Sequence, residues 1–414
     1  MAALDALKGW TSAQKHAVVA SYLGWTLDAF DFFLMVFVIK DVAKAFGAER
    51  DDVAWAVTLT LALRPVGAFV FGRLADHFGR RPVLMANVAL YSILGFATAF
   101  SPSLTGFLII RSLFGIAMGG EWGIGASLAM ESVRPETRGL VSGLLQSGYP
   151  TGYLLASIVY RNFYEPLGAL TGLAPWRSLF LVGIVPALLI LYIRRHVPES
   201  PGWAREHAKT GTVINVLKRH WQLAIYAILL MTAFNFFSHG TQDIYPTFLQ
   251  VQHHFDVRTT GNIAIVYNIG AILGGWTFGI WSQSLGRRRA IIIAALLAIP
   301  MTWLWAFSQT ATMLAVGAFL MQFFVQGAWG VIPAHLNELS PPDARGTFPG
   351  TVYQLGNFIA SYNAVLQTQI AKSQGENYSI ALASVAIAAA VAIAVLTALG
   401  REARHLNLAE AKRA

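Results

Sequence analysis

Twelve runs of about twenty predominantly apolar residues, separated by short polar loops, leave this chain few choices of fold. They fall near 17–39, 53–75, 82–100, 104–130, 139–160, 178–196, 221–249, 260–282, 290–308, 312–338, 347–371 and 378–400. As helices they are long enough to cross a hydrocarbon core of about 30 Å. No run alternates polar and apolar residues as a barrel strand does. Only 12% of the residues are charged against 55% hydrophobic, too little polar surface to keep 414 residues in water. The expected fold class is an all-α membrane protein of twelve helices. Glycines and prolines inside the spans are tolerable where neighbouring helices re-satisfy the freed backbone groups.

A net charge of +9 would suit nucleic acid if it formed one patch, but it is spread over loops. With the N-terminus placed inside, 21 of the 30 Lys and Arg fall on that side. Lys40, Lys44, Arg50, Arg161, Arg177, Arg258 and Lys372 fall on the other, and Arg64 and Arg111 lie within spans. This positive-inside bias predicts a multi-pass protein of the cell (inner) membrane with both termini cytoplasmic and no nucleic-acid partner. The absence of cysteine removes disulfides and thiolate metal sites. The start of the chain reads as a short polar helix without a cleavable signal pattern. No nucleophile–base set or cofactor motif stands out, and the His253–His254 pair in the 7–8 loop is not read as a metal site. Neither an enzyme, a metal nor a cofactor is expected.

Shifting the chain against itself by 207 residues aligns Gly72 with Gly279, Gly79 with Gly286 and Arg80 with Arg287. The same shift aligns Glu131 with Glu338, Arg138 with Arg345 and Gly139 with Gly346. Each half carries six spans, so the halves are parallel repeats. We expect an N-terminal bundle over 1–196, a polar linker over 197–220 with Arg205, Lys209, Lys218 and Arg219, and a C-terminal bundle over 221–414, packed around a central cavity. The halves differ in their charges: Arg64 faces Ala271, Glu121 faces Ala328, and Asp28 and Asp31 face Asn235 and Ser238. A purely architectural role would not need that asymmetry.

Ionisable groups at membrane depth are costly and point to function. Asp28 and Asp31, three apart near the middle of span 1, either carry a proton or pair with Arg64. Arg64, at the centre of span 2, presents a permanently charged fork suited to a carboxylate, or serves as counter-ion to those aspartates. Glu121, between glycines in span 4, is a proton relay or an interhelical hydrogen-bonding group. Arg111 reads as structural, snorkelling or capping a helix. Glu131, Glu338, Arg138 and Arg345 lie at the inner helix ends, where ion pairs can close a gate.

The densest polar stretch is Asn235–Thr247 in span 7. On a helix, Asn235, Ser238, His239, Gln242 and Asp243 share an arc of about 140°. That stripe must line protein or water, and His239 and Asp243, four apart, can share a proton. In span 11, Gln354 and Asn357 either bind a polar substrate oxygen or join helices.

Gly72–Arg81, Arg111–Gly123, Pro135–Gly139 and Pro198–Pro201 resemble the signatures of the major facilitator superfamily over essentially the whole chain. The resemblance implies a twelve-helix fold of two parallel six-helix repeats. Gly72, Asp76, Gly79 and Arg80 then form a conformational latch; with Gln283 where the repeat has Asp76, the charged latch is expected mainly in the first half. More narrowly, Asn235, Ser238, His239, Thr241, Gln242, Asp243 and Thr247 resemble the signature of the proton-coupled lactate/pyruvate permeases in the sialate:proton symporter branch. This implies uptake of a short monocarboxylate with a proton, driven by the proton gradient. Arg64 would bind the carboxylate, Asn235, His239 and Asp243 would serve recognition and coupling, and Gln354 and Asn357 would tune specificity. The partners are then a small organic anion, a proton and the bilayer, with a monomer as the functional unit. Symport of sialate or another larger acid, which an aromatic-lined cavity would favour, and a non-transporting nutrient sensor are the alternatives.

Overall fold

The structure, a computed structural model, describes residues 9–206 and 213–404. Expectations for linker residues 207–212, including Lys209, and for the tail beyond residue 404 lie outside the described residues. The chain forms α1 (Ser12–Phe46), α2 (Arg50–Phe78), α3 (Arg80–Thr98), α4 (Leu104–Ser132), α5 (Arg138–Gln146 and Gly148–Thr171) and α6 (Pro175–Leu181 and Leu188–His196). The second half follows with α7 (Val213–Gln242 and Tyr245–Val251), α8 (Val257–Leu285), α9 (Arg287–Ala306), α10 (Ala311–Trp329 and Ile332–Leu339), α11 (Phe348–Ala360 and Asn363–Ser373) and α12 (Tyr378–Leu399). Ten of these are long and apolar enough to cross a membrane; α5 and α11 are the two others, both broken. Large apolar side chains left exposed, among them Ile93, Leu188, Trp303 and Leu399, form an outer surface suited to lipid.

The breaks in α5, α7 and α10 have a common chemistry, which the break in α11 after Ala360 does not share. Helical hydrogen bonding ends at Gln146, Gln242 and Trp329, each four residues before a proline, Pro150, Pro246 and Pro333. Proline has no N–H to give the carbonyl four residues earlier. In α6 the same relation between Val182 and Pro186 is relieved by a 3-10 stretch, Val182–Ala187. Pro65, Pro166 and Pro300 sit inside unbroken helices, so proline alone does not force a break. Span 7, expected as one helix over 221–249, is therefore two, and Asp243 stands in the gap. The second part of α5 runs to Thr171, past the expected end at 160, and is stopped by Gly172 in the left-handed region.

Side-chain bonds gather the described ends of the chain and the 2–3, 4–5, 8–9 and 10–11 turns at one end of the molecule, here termed the basic end. Gln14 Nε2 donates to Ser132 O (3.0 Å), Trp203 Nε1 to Asp76 O (2.9 Å) and Arg404 Nη1 to Gln283 O (3.1 Å). The halves meet along two seams near this end. On one, α2 lies against α11, and a Cβ on Gly72 would stand 2.7 Å from Gly346 O; on the other, α5 lies against α8, with Gly139 over the carbonyl of Gly279. The 207-residue repeat maps Gly72 onto Gly279 and Gly139 onto Gly346, so the two seams are one contact made twice.

A candidate anion and proton site between the halves

Arg64 is 2% exposed, mid-helix in α2, with α4 drawn close because Gly119 has no side chain to strike the Arg64 backbone. Its Nη2 donates to Met118 Sδ (2.9 Å), and the Phe32 ring lies 5.1 Å from the guanidinium carbon. Nε has no partner. Among the described residues no ion pair joins Arg64 to Asp28 or Asp31, so the counter-ion alternative is not realised as a direct pair in this structure. A guanidinium held by a thioether and a ring keeps most of its donors for something else.

Across from it, His239 Nδ1 lies 3.1 Å from Asp243 Oδ2, and its Nε2 lies 2.9 Å from Asn357 Oδ1. Asn357 Nδ2 donates to Gln354 Oε1 (3.3 Å), while Gln354 Nε2 is buried without a partner. Four of the residues singled out on spans 7 and 11 thus form one chain from α7 to α11. The side chains of His239 and Asp243 are 25% and 39% exposed although both lie within a span, so water reaches them. Asn235 stands apart: it is 2% exposed and donates to Met231 O of its own helix (2.8 Å).

The rest of the span 7 stripe turns elsewhere. Gln242 Nε2 donates to Gln322 Oε1 (2.8 Å), Gln322 Nε2 to Thr241 Oγ1 (2.9 Å) and Gln326 Nε2 to Ser238 Oγ (3.2 Å). Gln322 and Gln326, one turn apart on α10, were not singled out from sequence; the signal was two amides four apart in an otherwise apolar span. Also missed were Tyr149, Tyr267 and Tyr353. Tyr149 and Tyr353 lie in the field of Arg64, Tyr149 and Tyr267 in that of Asp243. Coming from α5, α8 and α11, they bound the same space. Phe33 packs edge-on against Tyr149 (5.2 Å) and Tyr153 (4.8 Å), extending an aromatic wall along α1 and α5.

Asp28, Asp31 and Glu121 are 0%, 2% and 0% exposed, and none of their carboxylate oxygens has a hydrogen-bond partner. Glu121 reaches α1 only because Gly24 leaves room for its carboxylate. Asp31 faces Gly95 of α3 and Gly183 of α6, away from the seam between the halves. Arg111 does not snorkel: it is fully buried over the Phe114 ring (3.9 Å), in electrostatic reach of Asp31 and Asp28.

At the basic end Asp76 accepts from Gly346 N (2.7 Å), Thr347 N (3.0 Å) and Arg80 Nη1 (3.0 Å), fastening α2 to α11. Arg80 also binds Glu131 (3.0 Å), and Ser200 donates to the other Glu131 oxygen. Gly79, at φ 108°, turns the chain between α2 and α3. Glu199 accepts from the backbone N–H groups of Arg80, Arg81 and Ser200, and burial holds its carboxyl above the usual range despite them. The second copy is latched as fully as the first, contrary to expectation. Arg287 binds Glu338 twice (2.9 and 3.0 Å), Arg138 from the other half approaches Glu338 (3.8 Å), and Gln283 Oε1 accepts from Gly139 N (3.1 Å). An amide oxygen does what the Asp76 carboxylate does, and its Nε2 adds a bond to Pro135 O (2.9 Å). Arg345, 2% exposed, fixes its carbonyl to Ser127 Oγ (2.7 Å).

The profile described as Major Facilitator Superfamily matches residues 19–256, more than half of the chain, and that described as Sugar (and other) transporter matches 221–406. A carboxylic acid transporter protein homolog of Saccharomyces cerevisiae is 30% identical over 378 residues, 84% of this chain, which spans 60% of the yeast protein's length. The sialic acid transporter NanX of Escherichia coli is 25% identical over 379 residues, covering 90% of this chain and 91% of that one. The fold is that of the proton:xylose symporter XylE, with a TM-score of 0.73 at 18% identity over 92% of this chain and 95% of the other. With two six-helix halves, a repeated latch and a family profile that matches more than half of its residues, the chain belongs to the major facilitator superfamily.

Proposed function

We propose that this protein imports a monocarboxylate together with a proton by alternating access. The carrying observation is a guanidinium buried within a span, its Nε without a partner, whose field reaches a water-reachable His–Asp pair. Relatives named as transporters of carboxylic and sialic acids support an organic acid as cargo. The span 7 pattern supports lactate and pyruvate within that class. The basic end is taken as cytoplasmic in the cell (inner) membrane, so this conformation, sealed there and wet at His239, faces outward.

An anion entering a negative-inside cell is opposed by about 2.3 kcal/mol per 100 mV. A co-moving proton cancels that cost, and each pH unit then contributes about 1.4 kcal/mol, roughly tenfold accumulation. In the proposed cycle the proton sits on the His239–Asp243 pair and the anion on Arg64; with both loaded the cavity is near neutral and the halves can rock. With Arg64 taken up by the anion, Asp28, Asp31 and Glu121 oppose Arg111 in a sealed region, so two protons among them balance the charge there. Covalent chemistry, cofactor and metal play no part in this reading, and one chain suffices for it.

The tyrosines around Arg64 favour a second reading, a larger organic acid, because they offer aromatic faces and hydroxyls beyond the reach of a three-carbon acid. Purified protein in liposomes holding a pH dye in the lumen tests the proposal: external L-lactate should acidify the lumen, and Arg64→Gln should abolish the signal. If a larger acid acidifies the lumen and L-lactate does not, the second reading holds. Silence with every acid removes the symport proposal.

A further inference from the structure

The hydrogen-bond chain from His239 through Asn357 to Gln354 has a directional property that follows from donor and acceptor counting. Asp243 offers His239 Nδ1 only acceptors when ionised, and Asn357 presents its Oδ1 to Nε2. Both ring nitrogens must then carry hydrogen, so this arrangement belongs to the imidazolium. Asn357 Nδ2 donates onward to Gln354 Oε1, which leaves Gln354 Nε2 as the terminal group, buried and unpartnered.

Remove one proton and the same heavy atoms need the opposite polarity. Nδ1–H stays on Asp243 and Nε2 becomes an acceptor, so Asn357 must turn its amide to donate Nδ2–H to it. Asn357 Oδ1 then faces Gln354, whose amide turns in response and donates Nε2–H. The terminal group is now Gln354 Oε1, an acceptor. No covalent bond changes except the N–H that leaves His239, and every hydrogen bond in the chain is kept in both states.

We propose that His239, Asn357 and Gln354 form a proton-readout relay that presents an N–H donor to the transported anion when His239 is protonated and a repelling carbonyl oxygen when it is not. Gln354 is a coupling residue, rather than a member of a static specificity set. It adjoins Tyr353, which lies in the field of Arg64, and it is 1% exposed, so its orphan end is held inside the protein. Among the described residues, the charged groups in electrostatic reach of His239 are Asp243 on its own helix and Arg64 of α2. The relay rests on the proton–anion reading, and it ties the two ligands together without direct contact between them.

The test is calorimetric binding of L-lactate, an anion throughout, to the purified full chain between about pH 5 and pH 8. Wild type should bind at least about tenfold more tightly at the acid end. Gln354→Met, which fills the space with no N–H donor and only a weak thioether acceptor, should cut that ratio to about twofold or less, and so should Asn357→Leu, which severs the relay. Either variant keeping the full pH ratio overturns the relay. So does a wild type whose affinity ignores pH, even if lumenal acidification by L-lactate shows the symport reading to be correct. A thermal midpoint within a few degrees of wild type in Gln354→Met separates loss of the readout from loss of the fold, since a merely packing role would not move the pH ratio.

Discussion

In the proposed reading Arg64 can serve as anion anchor because of what does not touch it. A thioether and an aromatic face hold its position without neutralising it. Arg64→Lys retains the charge but loses the fork, and the KM for monocarboxylate uptake should rise roughly ten- to hundredfold, about 1.5–3 kcal/mol of charge-assisted hydrogen bonding. An unchanged KM would exclude two-point binding. Gly24 and Glu121 are coupled by volume, so Gly24→Ala forces Glu121 off its position and should cost about 1–3 kcal/mol, read as a fall in thermal midpoint. Sequence pointed to Arg64, His239, Asp243, Gln354 and Asn357 because charge or amide at membrane depth is rare. It did not point to Tyr149 or Tyr353, since tyrosine in a span is also ordinary packing. Nor did it separate Asn235, whose amide bonds its own backbone, from neighbours with the same spacing.

The seven-residue pattern on α7 divides between two faces. His239 and Asp243 look to α11 and the cavity, while Ser238, Thr241 and Gln242 are taken up by the amides of α10. Periodicity put Ser238, His239, Gln242 and Asp243 on one arc and could not show that the arc would be shared, because the partner amides, Gln322 and Gln326, lie some eighty residues away. The break after Gln242 is the other feature the pattern concealed. Pro246→Ala restores an N–H to the Gln242 carbonyl and lets α7 run on, so the thermal midpoint should hold or rise while gradient-driven uptake falls severalfold. Unchanged uptake would show that the bend does not place Asp243. The breaks in α5 and α10 are read the same way, a proline four residues downstream, whereas the break in α11, which has none, and Pro65 and Pro300 show that the sign is incomplete.

At the scale of the whole molecule, the repeat made the architecture legible: an offset of 207 residues relates not only the helices but both seams and both latches. The error was to equate loss of the Asp76 counterpart with loss of the latch, since Gln283 makes the same bond to the opposite half with a neutral oxygen. The absence of cysteine allows a clean test of the seal. A cysteine at Ser142, buried against Ala334 N, should resist a water-soluble maleimide, and Asp76→Asn combined with Glu338→Gln should make it reactive. Protection that survives both changes would mean that packing along the seams, rather than the charged latch, closes the basic end.

Proton coupling through Asp243 is tested most directly by accumulation. Wild-type protein in liposomes, given an inward proton gradient and labelled L-lactate, should concentrate the label above the outside level and lose it on adding a protonophore. Asp243→Asn should equilibrate the label without concentrating it, with exchange preserved. Accumulation that needs no gradient, or an Asp243→Asn protein that concentrates lactate as wild type does, would contradict the account.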